Sequence, residues 1–242
     1  FGRVSPGAMS EAMVESFDAL RAELGVGEVE VPYVDICPDS VQSPEFRRGV
    51  ERIPLRPVGW SGPGTLPNLD RDRPLVYLTL GTAYASVDVL RVAIDGIAAL
   101  PVDVLVATGP AVDPAVLGPV PANVALAAWV PQSAVLARVD LVVHHGGSGT
   151  MLGAFGAGLP QLVLPLGADQ FTNAQAVLDA GAGARLLPTE LGRDAVTERV
   201  RALLADEAVL AAARRLADEV AAMPAPADVV ARLVAASGRL GA

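Results

Sequence analysis

Seven consecutive residues, His144-His145-Gly146-Gly147-Ser148-Gly149-Thr150, carry the only two histidines of the chain and three of its glycines. Glycines at 146, 147 and 149 let a backbone approach an anion closely. A helix starting there would add its N-terminal amides and positive dipole end. An imidazole beside such a loop can hold a phosphate oxygen and stabilise the negative charge that develops as a diphosphate leaves. Adjacent residues at a strand end face opposite sides. One histidine is therefore expected to be structural and the other to face the ligand. The loop does not fit G-x-G-x-x-G and contains no Walker lysine, which argues against a nicotinamide dinucleotide or P-loop site.

Three further clusters stand at comparable places. Gly81-Thr82, Trp129-Val130-Pro131-Gln132 and Gly167-Ala168-Asp169-Gln170 each follow a short apolar run. Trp129 offers either core packing or a flat face for a base. Asp169 and Gln170 have the acceptors and donors that sugar hydroxyls need, and they also suit a helix N-cap.

The elements that must position these clusters follow from hydrophobic pattern. Strands are expected over residues 75–80, 102–107, 124–128, 141–144, 161–164 and 184–187, with helices over 87–100, 149–156, 173–180, 194–205, 207–222 and 226–237. Apolar strands alternating with helices imply a doubly wound parallel α/β sheet. In such sheets ligands bind outside the carboxyl ends of the strands, where all four clusters lie. Earlier in the chain, residues 10–24 read as a helix with Ser10 as N-cap, and residues 33–37 as a strand. Between 42 and 74, prolines at 44, 54, 57, 63, 67 and 74 predict an extended linker.

Bulk properties narrow the partners. The 242 residues carry a formal charge of −9, with no basic run, which disfavours nucleic acid. No apolar stretch reaches membrane-spanning length. One cysteine, Cys37, excludes an intramolecular disulfide and a Cys-based metal cluster and suits a cytoplasmic setting.

Taken together, Trp129-Val130-Pro131-Gln132, the His-His-Gly-Gly-Ser-Gly-Thr run and Leu164-Pro165-Leu166-Gly167-Ala168-Asp169-Gln170-Phe171 resemble the signature of the UDP-glycosyltransferase-like family. These are inverting enzymes of the GT-B fold, and the bacterial natural-product branch is the most similar. The resemblance implies that residues 75–223 are a Rossmann-like nucleotide-sugar donor domain. Residues 1–41 would be the end of an acceptor-binding N-terminal domain, 42–74 an interdomain linker, and 224–242 a helix crossing back toward that domain. It further implies that Trp129 stacks on the base and the Val130 backbone bonds it, with Gln132 close to the nucleoside. Thr82, His144, Gly146, Gly147, Ser148, Gly149 and Thr150 would hold the diphosphate, and Asp169 and Gln170 the transferred sugar.

One departure bears on the donor. Many relatives place a ribose-binding Glu eight residues after the first His, where this chain has Leu152. A hydroxyl left without its partner costs about 1–3 kcal/mol, so a dTDP-sugar is expected over a UDP-sugar. No Asp-x-Asp pair lies near these loops, since Asp70-Arg71-Asp72 falls in the linker, and no metal or other cofactor is expected. The family's acceptor base is a His of the N-terminal domain, and both histidines here lie in the donor loop. The chain is therefore expected to be the C-terminal part of a longer enzyme that moves a deoxysugar to a hydroxylated natural product such as a polyketide. By itself it should bind donor without efficient transfer. The alternative is a non-catalytic nucleotide-binding fragment or auxiliary module. An epimerase on the same scaffold fits the Trp-x-Pro-Gln run less well. The stripe Val229, Val230, Leu233 and Val234 on the last helix is expected to be partly exposed or to pair with another chain.

Overall fold

A computed structural model of the chain describes residues 11–26, 32–49, 51–59, 62, 64, 66, 72–82 and 86–237. Ser10, Asp70 and Arg71 lie outside the described residues. The chain divides into two compact units, Phe1–Arg56 with Met223–Ala242, and Pro57–Ala222.

Among the described residues, the second unit holds six parallel strands: β3 (Leu75–Thr79), β4 (Asp103–Ala107), β5 (Val124–Ala127), β6 (Leu141–His144), β7 (Gln161–Val163) and β8 (Gly183–Arg185). The first unit contributes two more, described below as β1 and β2. The large sheet has the order β5-β4-β3-β6-β7-β8, so β3 has β4 on one side and β6 on the other. That reversal of direction is where open α/β sheets form a ligand crevice. The α-helices described in this unit are α3 (Val87–Ala98), α4 (Gln132–Leu136), α5 (Ser148–Gly156) and α6 (Gln170–Asp179) between strands, and α7 (Arg193–Ala205) and α8 (Glu207–Ala222) after the last strand.

Every residue of β3 is buried because its pleat feeds two cores. Val76 and Leu78 join Val104, Val106, Leu141 and Val143 under α3 and α7. Leu75 and Tyr77 join Leu105, Val142, Val135, Leu136 and Ala154 on the other face. Burying each large aliphatic side chain contributes about 1.5–3 kcal/mol, so the central strands form a rigid floor. Asp140 extends this order to the start of β3, where its carboxylate accepts from the Leu75 amide at 2.8 Å. At the far side of the sheet, β7 and β8 run so close at Gly183 that a Cβ there would sit 2.0 Å from the Gln161 carbonyl oxygen.

The first unit contains α1 (Glu11–Glu23), β1 (Tyr33–Asp35), α2 (Pro44–Gly49), β2 (Arg52–Pro54) and α9 (Pro226–Ser237). The expected extended linker from residue 42 is corrected here, because 44–49 is a helix and 52–54 a strand parallel to β1. The cause is the buried carboxylate of Asp35. It accepts from the Cys37 amide at 2.8 Å, from Gln42 Nε2 at 2.9 Å and from Arg52 Nε at 2.6 Å. Ser43 Oγ accepts from the Phe46 amide at 3.2 Å and caps α2, and the Phe46 ring meets Tyr33 edge-on at 5.0 Å. These contacts hold the segment in place despite its prolines. On α9, Val229 is buried, whereas Val230, Leu233 and Val234 are exposed. Among the described residues no helix is long and apolar enough to cross a membrane.

Candidate functional site

The loops after β3, β4, β5 and β6 enclose a pocket of about 280 Å³. Thr82, Trp129, Val130, Gln132, Gly147, Gly149 and Thr150 line it, together with His145, Tyr77, Thr79 and Gly81. Seven residues singled out in the sequence are thus brought together, from three separate loops. Trp129 is half exposed, at 50%, while Val130 beside it is buried at 3%. The indole is available as a platform because the core is filled by its neighbour. Gln132 begins α4, and its Oε1 accepts from Thr150 Oγ1 at 3.2 Å, so the β5 and β6 loops are pinned to each other.

The two histidines divide their labour, and the division corrects the expectation that His144 meets a diphosphate. His144 is the last residue of β6 and is fully buried. Its Nδ1 accepts from the Gly146 amide at 3.0 Å, so the ring proton sits on Nε2 and donates to Gln161 Oε1 at 2.8 Å. Gln161 Nε2 in turn donates to the Met151 carbonyl at 3.4 Å. Burial, with His145 alongside, lowers the His144 pKa to about 3, so the ring is neutral.

His145 is the imidazole in the pocket. It lies in a slot between two glycines. A Cβ on Gly81 would be 2.5 Å from its Cε1, and one on Gly147 2.5 Å from its Nε2. Its Nδ1 is buried without a hydrogen-bond partner. Burial lowers its pKa, and the Asp169 carboxylate and the Thr79 backbone push it back up. On the pocket floor, burial raises the Tyr77 hydroxyl to about 12, so it is a permanent neutral donor.

The glycine run then turns into α5. Gly146 has φ +96°, a conformation suited to glycine, and it does not line the pocket. Gly147 is the N-cap of α5, and with Gly149 and Thr150 it puts the start of that helix at the pocket wall. Ser148 also stands outside the pocket lining, with its Oγ donating to Asp169 Oδ2 at 3.2 Å.

The two residues expected to contact a sugar separate. Asp169 is exposed and occupies the N-cap of α6 without a side-chain capping bond. Gln170 is buried, and its Oε1 accepts from the Leu166 amide at 2.8 Å and the Gly167 amide at 3.1 Å. In this geometry Gln170 Oε1 shapes its own loop. The reason is that the turn from 166 to 170 needs an internal acceptor for its amides.

Leu152 is buried at 4% and, like Gly153, is not among the pocket-lining residues. Helical periodicity puts Gly153, three residues after Thr150, on the face toward Gln132. A Cβ at Gly153 would lie 3.8 Å from Gln132 Nε2 and 2.9 Å from Leu136 Cδ1. Among the described residues, no group of three His, Cys, Asp or Glu side chains is placed to hold a metal ion.

Comparison with known proteins agrees with this fold. The family profile for erythromycin biosynthesis protein CIII-like, C-terminal domain, matches residues 91–236. L-demethylnoviosyl transferase of Streptomyces niveus is 36% identical over 97% of this chain and 64% of its own length. Elloramycin glycosyltransferase ElmGT of Streptomyces olivaceus is 39% identical over 95% of this chain and 60% of its own. Among solved structures, the spinosyn rhamnosyltransferase SpnG superposes with a TM-score of 0.83 at 31% identity, covering 96% of this chain and 64% of that one. The calicheamicin glycosyltransferase CalG4 gives 0.80 at 29%, covering 97% and 61%. The chain thus spans about three fifths of the length of these relatives. Through an erythromycin biosynthesis protein CIII-like C-terminal domain, it belongs to the bacterial natural-product glycosyltransferases of the GT-B fold.

Proposed function

We propose that this chain is the donor-binding half of an inverting glycosyltransferase that moves a deoxysugar from a dTDP-sugar to a hydroxylated natural product such as a polyketide. One observation carries the reading. A single pocket has an exposed indole, Trp129, among its lining residues and, with it, His145, the Gly147–Gly149 turn and Thr150. An aromatic face suits a base, and an imidazole with helix-start amides suits a diphosphate. Those amides and His145 supply the neutralising partners, so no metal is invoked. Among the described residues, no carboxylate lines this pocket, which favours a nucleotide that needs none on a 2′-hydroxyl. Solved relatives support the same donor, since SpnG is described as complexed with thymidine diphosphate and VinC with dTDP. A cytoplasmic setting, an acceptor held by further N-terminal sequence, and pairing through the exposed face of α9 complete the reading.

Calorimetric titration with dTDP and UDP tests it. Binding of dTDP at least as tight as UDP is expected, and markedly tighter UDP would overturn the donor assignment. A second reading, a nucleotide-binding module without transfer chemistry, is favoured by one fact. Both histidines of the chain are engaged within the donor loop, leaving none as acceptor base. The two diverge on the sugar: a module reads only the nucleotide, whereas a transferase site gains affinity from the hexose.

A further inference from the structure

The sugar-side carboxylate and the phosphate-side loop come from different strands, yet transfer requires them in fixed register. The structure points to one buried side chain that sets it. Asn173, in the first turns of α6, is 2% exposed. Its Nδ2 donates to the Gly146 carbonyl at 2.8 Å and lies 3.1 Å from Asp169 Oδ2 and 3.3 Å from Ser148 Oγ. A primary amide nitrogen has two hydrogens. One goes to the Gly146 carbonyl and the other is shared by the hydroxyl and the carboxylate. Ser148 Oγ donates to the same Asp169 oxygen, closing a ring of three side chains.

We propose that Asn173 is a positioning residue that locks Asp169 to the glycine loop. It thereby holds the carboxylate in register for the donor's hexose. Asn173 does not line the pocket, so it acts through its neighbours. Two observations show that the loop needs holding. Ala168, just before the carboxylate, has φ +52°, a left-handed conformation that a residue with a Cβ adopts only when its surroundings impose it. Asp169 is also not anchored by capping α6. The Gly146 peptide is gripped from both ends, with its amide on His144 and its carbonyl on Asn173. The carboxylate is therefore referenced to a residue of the phosphate loop whose amide and carbonyl are both held.

The inference rests on the donor-site reading, and one experiment separates them. The unchanged chain, Asn173→Ala, Asn173→Asp, Asp169→Asn and the Asn173→Ala/Asp169→Asn double variant are titrated with dTDP and with dTDP-glucose. The unchanged chain is expected to gain roughly tenfold from the hexose, the worth of one hydrogen bond to a charged group. Asn173→Ala should lose that gain while keeping dTDP affinity within about threefold, and the double variant should be no worse than Asp169→Asn. Asn173→Asp keeps the volume without the donor, and it carries the test if the alanine variant does not fold. Retention of the hexose gain, or equal loss of both ligands, overturns the inference alone. A hexose that adds nothing to the unchanged chain overturns it too. Failure of the unchanged chain to bind either ligand overturns the donor-site reading, and the inference with it.

Discussion

The amide of Gly146 donates to Nδ1 of His144 across 3.0 Å, and this bond decides which histidine can serve a ligand. With Nδ1 accepting and Nε2 donating to Gln161, no ring position of His144 is left for a phosphate. His145, one residue on, has left the strand and swung into the pocket.

Removing the His144 ring should therefore damage the fold before the chemistry. His144→Ala leaves the Gly146 amide and Gln161 Oε1 without partners in a fully buried space, at a cost of about 2–4 kcal/mol. His144→Asn places an amide oxygen near the Nδ1 position and should recover much of that loss together with dTDP affinity. Urea denaturation of both variants measures it. Equal stability of the alanine variant and the unchanged chain would contradict the assignment.

The same ring predicts a pH dependence. An exposed imidazole titrates at 6.5, whereas folded His144 titrates at about 3. Between those values the unfolded chain takes up a proton that the folded chain refuses. The contribution is therefore complete above pH 6.5 and is lost as pH falls toward 3, at about 1.4 kcal/mol per pH unit. His145, also lowered, adds in the same sense. The difference in stability between the unchanged chain and His144→Asn, followed from pH 7.5 to about pH 5, should shrink by this slope.

Two neighbouring glycines should respond differently to a methyl group. At Gly147 the new Cβ would stand 2.5 Å from His145 Nε2, so Gly147→Ala expels the ring from its slot. At Gly149 nothing lies within 4 Å, and alanine favours the helix. Gly149→Ala should keep or slightly raise Tm and weaken dTDP only by crowding the ligand. Gly147→Ala should lower Tm and cost about tenfold or more in dTDP affinity. Thermal melts with and without dTDP distinguish them, and matching behaviour would argue against the slot.

The nucleotide's sugar offers a third contrast. Gly153→Glu sets a carboxylate on the face toward Gln132, its Cβ crowding only the flexible end of Leu136, and should shift the preference toward UDP by about tenfold. Leu152→Glu buries a charge instead and should cost about 3 kcal/mol or more without changing preference. Paired titrations with UDP and dTDP decide it. A preference that moves with residue 152 and not with 153 would reinstate Leu152 as the discriminating position.

Much of the large sheet is legible because its strands are buried on both faces and read as continuous apolar runs. What escaped was short or held by tertiary contacts. Helix α4 is five residues long, starts after a proline and carries no periodic pattern to detect. Helix α2 and strand β2 exist because Asp35 binds Gln42 and Arg52 from afar, and local composition argued the opposite. For the histidines, alternation predicted one inward and one outward ring but not which. The available signal was Gln161, a polar residue opening an otherwise apolar strand, which implies a buried polar partner nearby. The turn-closing role of Gln170 carried no signal of its own, because a residue type suited to sugars is equally suited to closing its own turn.

The tight approach at Gly183 reaches further than its place on an edge strand suggests. It lets β8 close on Gln161, whose side chain sets His144, which in turn sets the Gly146 peptide. Mutational tolerance in this domain should therefore not fall off smoothly with distance from the donor. Position 149, at the pocket wall, has open space around it, whereas position 183, two strands away from β6, admits one residue alone.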